Sequence, residues 1–91
     1  MKVSNFTSTN GNKIANQFLM HHENKIYFQS YESIIVMKEF TESGEITTLD
    51  TNRWDYSKTT GKYRNQFLNE TKAETQKKID SGEYQLINLN K

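Results

Sequence analysis

Apolar and polar positions alternate through much of the first fifty residues, and a spacing near 3.6 replaces that alternation after Asp50. Residues 3–7 read as a short strand or edge-pairing arm. The polar cluster at 8–12 follows, with an Asn10-Gly11 pair that tolerates positive φ. Residues 16–21 and 26–30 read as the arms of a hairpin turning at 22–25, with Ile26 and Phe28 on one face and Tyr27 and Gln29 on the other. Residues 31–33 interrupt the pattern. The β-branched start of 34–40 predicts a buried strand, 42–45 a turn and 46–49 a further strand. The first half is thus a meander of three or four antiparallel strands.

In the second half, Ser57, Thr59 and Thr60 are candidate caps of a first helix, on which Tyr63 and Phe67 share a face with Leu68 beside them. Gly61 weakens its first turn. A second helix starts at Thr71, because Thr71-Lys72-Ala73-Glu74 has the spacing of a capping box. Ala73 and Ile79 supply its narrow apolar stripe, and Ser81-Gly82 its stop. Residues 84–89 alternate as a last strand returning to the sheet. The expected class is α+β: a small antiparallel sheet of three to five strands packed against two short C-terminal helices, in one domain over residues 1–91.

Composition narrows the chemistry. The chain has 91 residues, 33% of them hydrophobic, which allows one thin core and no deep pocket. Cysteine is absent, so disulfides and thiolate metal sites are excluded. The longest apolar run, 34–37, is far short of a membrane span, and a cytoplasmic protein with no membrane partner is expected. His21 and His22 are neighbours on a strand and point to opposite faces, with no other His or Cys to complete a ligand set. No metal and no cofactor is expected. No nucleophile elbow or phosphate loop occurs either, and the expected function is not enzymatic.

Charge points to one region. Residues 1–52 carry four lysines against six carboxylates, whereas 53–91 carry eight bases against five. Within the second half, 54–68 (WDYSKTTGKYRNQFL) combines the sole tryptophan, two tyrosines and a basic run with no acid between Asp55 and Glu70. Trp54, Tyr56, Lys58, Lys62 and Arg64, joined by Lys72 and Lys77, are the residue types that anchor protein interfaces or stack on bases and bind phosphates. They are the candidate partner-binding residues, with no catalytic residue assigned. Tyr63 and Phe67, at helical spacing, are assigned to the core.

The block WDYSKTTGKYRNQFLNETKAETQKKIDSGEYQLINLN, with ANQF and YFQSYESIIV before it, resembles small proteins encoded by phages and other mobile elements of low-GC Gram-positive bacteria. That resemblance implies an accessory protein that binds and inhibits a host complex, such as a CRISPR-type nuclease or its ribonucleoprotein. It carries over no site residue. The chain also lacks the strong acidity of inhibitors that imitate DNA. A small nucleic-acid-binding or regulatory protein is the second reading, and a hydrolase working through unpatterned carboxylates the third.

Overall fold

The computed structural model describes residues 2–7 and 11–90. They form β1 (Lys2–Thr7), β2 (Lys13–His22), β3 (Lys25–Ser30), β4 (Ser33–Thr41), β5 (Gly44–Asp50), α1 (Lys58–Leu68), α2 (Lys72–Asp80) and β6 (Gln85–Ile87). The class is α+β, and the strands lie in one sheet in the order β1-β2-β3-β4-β5-β6.

Two parts of the expected architecture are corrected. Among the described residues the sheet has six strands, not three to five, and is mixed: β6 runs parallel to β5, with Leu86 opposite Leu49. The two helices lie in the C-terminal half, as expected, and form the crossover between β5 and β6. A parallel neighbour requires such a connection, because the chain must return to the end where the first strand began. Alternation in residues 84–89 marks a strand but carries no sign of its direction.

The meander closes through tight turns. Glu23 and Tyr31, in the turns after β2 and β3, take left-handed φ values of 56° and 57°. Gly11 has φ 81°, and the rest of the expected turn, residues 8–10, lies outside the described residues. The sheet is irregular at two points. Asn16 adopts φ 63° where the register of β1 on β2 shifts, and Ile35 is an extra residue between the pairs Phe28–Val36 and Gln29–Ile34. A bulge breaks strict alternation. Ile35 and Val36 are both fully buried in the core.

Phe28, Val36 and Leu49 lie opposite one another on β3, β4 and β5 and define the face that the helices cover. Phe67 stacks on Phe28 with centroids 5.8 Å apart, and Phe6 of β1 meets Phe28 edge to face at 5.1 Å. Tyr63 lies 6.0 Å from Phe6. Such aromatic pairs contribute about 0.5–1.5 kcal/mol each beyond area burial. Tyr63 and Phe67 thus hold the core role that their spacing predicts, and the arm at 3–7 is an edge strand.

Both helix starts follow the sequence. Ser57 caps α1 by accepting from the Thr60 N–H at 3.1 Å. In α2 the box is complete: Thr71 Oγ1 accepts from the Glu74 N–H at 3.2 Å, and Glu74 Oε1 from the Thr71 N–H at 3.0 Å. Of the stripe expected on α2, Ile79 packs against the core, but Ala73 is exposed and Thr75 is the buried residue. Thr75 donates to Glu70 at 2.8 Å and to the Thr71 carbonyl at 3.1 Å, so its hydroxyl is satisfied where the alanine methyl was expected.

A basic concavity at the start of the first helix

Asp50, at the end of β5, fixes the loop that carries the candidate residues. Its fully buried carboxylate accepts from the Asn52 N–H at 3.1 Å and the Leu89 N–H at 2.8 Å, while its carbonyl accepts from the Trp54 N–H at 3.1 Å. Where α1 then begins, Thr60 Oγ1 lies 3.0 Å from Ser30 Oγ on β3, with both residues fully buried. The first turn of α1 is thereby pinned to the sheet.

Arg64 lies beneath this turn, only 1% exposed. Its guanidinium packs 5.2 Å from the centroid of the Trp54 ring, donates to the Trp54 carbonyl at 2.6 Å and to Asn65 Oδ1 at 2.9 Å, and pairs with Asp55 at 3.4 Å. Gly61, one turn earlier, lies against it: a Cβ there would stand 3.6 Å from Arg64 Nη2, in ordinary contact. Arg64, expected among the partner-binding residues, is thus buried and paired. Asp55, nine residues back and outside the helix, supplies the charge that the sequence inside the helix lacks.

Around this buried arginine is an open concavity of about 520 Å³ whose lining includes Tyr56, Ser57, Lys58, Lys62 and Lys72. Asp55 is the single carboxylate in the lining, against four cations. Lys72, at the first residue of α2, bonds Asp55 at 2.6 Å. Burial alone would push the Asp55 carboxyl up, but Lys72 and Arg64 outweigh it and hold the group below its ordinary value. Lys62 sets its ammonium 5.3 Å from the ring centroid of Tyr63, and Lys58 is exposed; neither makes an ion pair among the described residues. The first turn of α1 adds the positive end of a helix dipole, since the Lys58 and Thr59 amides precede the first main-chain bond, from Gly61 N–H to the Ser57 carbonyl.

Of the seven sequence-predicted residues, Tyr56, Lys58, Lys62, Arg64 and Lys72 meet here. Trp54 packs against the core as the platform for Arg64, and Lys77, exposed on α2, lies outside the lining. Sequence reasoning missed Asp50, Asp55 and the buried Thr60. Asp50 and Asp55 bracket the loop before the cap, the one clue to their anchoring role. The histidines separate as their strand parity requires: His21 lines a groove with Leu19, Ile26 and Phe67, and His22 pairs with Glu23 at 3.8 Å. Among the described residues no group of three or more His, Asp or Glu side chains could hold a metal ion. No helix is long and apolar enough to cross a membrane.

The fold and this concavity define a small α+β domain with a basic recess at a helix N-terminus. The chain belongs to DUF8033, a family of unknown function whose model matches residues 1–83. No curated protein and no solved structure matches it significantly.

Proposed function

We propose that this chain is a non-enzymatic binding protein that inhibits a host macromolecular complex, docking on it through the basic concavity of α1 and α2. The observation that carries the docking surface is the convergence of Lys58, Lys62 and Lys72 on one recess beside the first turn of α1. Oriented amides and unpaired ammonium groups recognise phosphate or carboxylate oxygens, and a ribonucleoprotein presents many of the former. The resemblance to phage and mobile-element proteins supports a bacterial defence nuclease of the CRISPR type as the target, met in the host cytoplasm. Binding to bare nucleic acid is the second reading, favoured by Tyr56, which is 50% exposed beside Lys58 and free to stack on a base.

The test uses the parent and the double variant Lys58→Ala with Lys62→Ala, with thermal melting to establish that both are folded. A purified host CRISPR-type ribonucleoprotein and a single-stranded oligonucleotide are the two probes. The parent is expected to block target cleavage, and the double variant to do so at least tenfold less well. Undiminished cleavage with the parent in excess would sink the inhibitor reading. Tight oligonucleotide binding with a steep salt slope would put the second reading in its place.

A further inference from the structure

Both helices pack on the Phe28 face of the sheet; the opposite face carries neither helix, and Arg53, Leu89 and Asn90 border its end beside Gln29 and Ile34. Register places Val3, Met20, Tyr27, Met37 and Thr48 opposite one another across five strands of that outer face. Phe18 continues the apolar surface two residues along β2, and Ile46 does so beyond Met37 through its pairing with Glu39. Val3 is 57% exposed and Ile46 44%, Met20, Tyr27 and Met37 are half-buried, and Thr48 alone in the row is buried, at 3%. Contiguous apolar surface of this extent marks an interaction site.

We propose that a second copy of this chain docks here, sheet against sheet, in a two-fold dimer. Charge selects that occupant. Lys25 and Glu39 are cross-strand partners on this face, a cation beside a carboxylate, and Lys13, opposite Thr7, stands at its far end. A two-fold interface sets a patch against itself. With the two-fold axis running between β3 and β4, Lys25 of one copy faces Glu39 of the other and opposite charges match, whereas the basic concavity would repel its copy. Size agrees. Five strands about 4.8 Å apart and a strand length near 20 Å give roughly 500 Å² per copy, or about 1,000 Å² for the pair, at the lower end of specific interfaces. The dimer is therefore of modest affinity and depends on concentration. Two methionines beside a tyrosine supply side chains that adapt as the faces interdigitate. The proposal is independent of what the basic concavity binds.

The experiment is sedimentation of the full chain from about 1 to 200 µM at physiological salt. The weight-average mass is expected to rise with concentration toward twice the 10.7 kDa of one chain. Met37→Glu should weaken association at least tenfold with an unchanged circular dichroism spectrum. Should that variant melt early, Val3→Glu, at the exposed edge, is read in its place. Lys25→Glu alone should also weaken the dimer, and adding Glu39→Lys should restore it. A chain monomeric at the highest concentration, a dimer indifferent to both apolar substitutions, or one broken by Lys58→Ala with Lys62→Ala would overturn the proposal.

Discussion

The Arg64 guanidinium both covers the indole of Trp54 at 5.2 Å and donates to the carbonyl of the same residue at 2.6 Å. One side chain of α1 thus holds the ring and the backbone of the loop before its cap. The segment 54–68 is a closed unit whose surface charges stand on a buried cation.

Arg64 therefore separates from its basic neighbours. Arg64→Ala removes hydrogen bonds to Trp54 and Asn65, frees Asp55 from one partner and leaves a cavity under Gly61. The expected loss is roughly 2–4 kcal/mol of unfolding free energy. Lys58→Ala, at an exposed position without an ion pair, should change stability by less than about 0.5 kcal/mol. Urea unfolding of the two variants checks this, and equal effects would contradict the burial of Arg64.

Gln17 is an unresolved tension inside the sheet. It is fully buried opposite Ser30, and neither its Nε2 nor its Oε1 meets a hydrogen-bonding partner among the described residues. An unsatisfied buried amide costs about 1–3 kcal/mol. Gln17→Leu keeps the volume and removes the polar atoms, so its melting temperature should exceed the parent's. A lower one would show that the amide is paired in solution.

The Thr71 box is the most local of these devices. Thr71→Ala leaves the Glu74 N–H without its acceptor and is expected to destabilise by roughly 0.5–2 kcal/mol. Thr71→Ser, which retains the hydroxyl, should recover most of the loss. A melt insensitive to both changes would remove the box from the account of α2.

These contrasts show where sequence reasoning reaches. Alternation located the strands, and Ser57, Thr71, Tyr63 and Phe67 were legible because caps and i, i+4 pairs depend on residues within a turn of one another. Arg64 was misread for the complementary reason. Its partners lie on a loop whose path is set by Asp50 and by the distant Leu89, and no window around Arg64 contains both. The direction of β6 and the bulge at Ile35 escaped in the same way, being properties of strand pairing and not of either strand alone. Of the concavity, the lysines were readable and the carboxylate among them was not recognised.

The last prediction concerns pH and the cluster that joins the end of α1 to α2 and the entry to β6. Glu70, its side chain 4% exposed, lies 2.8 Å from Lys78 Nζ and accepts from Thr75 Oγ1 at 2.8 Å, and Lys78 donates in turn to the Tyr84 hydroxyl at 3.5 Å. Burial would raise the Glu70 carboxyl; Lys78 with the Thr75 and Tyr84 hydroxyls outweighs it and holds the group below its ordinary value. A carboxyl lowered on folding gives stability that is present above its unfolded pKa and is lost as pH falls through the folded one. On the alkaline side the signs reverse. Burial and then Glu70 push Tyr84 up to about 12, and the hydrogen bond to Glu70 raises Lys78. Both contributions are present below the unfolded values, near 10, and are lost as pH rises toward the folded ones. Unfolding free energy should therefore hold a plateau between about pH 5 and pH 9 and fall on either side. Glu70→Gln should lower the plateau, and its deficit relative to the parent should shrink as pH falls below the ordinary glutamate value and Glu70 loses its charge in the parent too. Urea titrations of parent and variant from acid to alkaline pH measure that difference. A deficit as large at the acid end of the titration as at pH 7 would show that the cluster works through packing alone and not through the charge on Glu70.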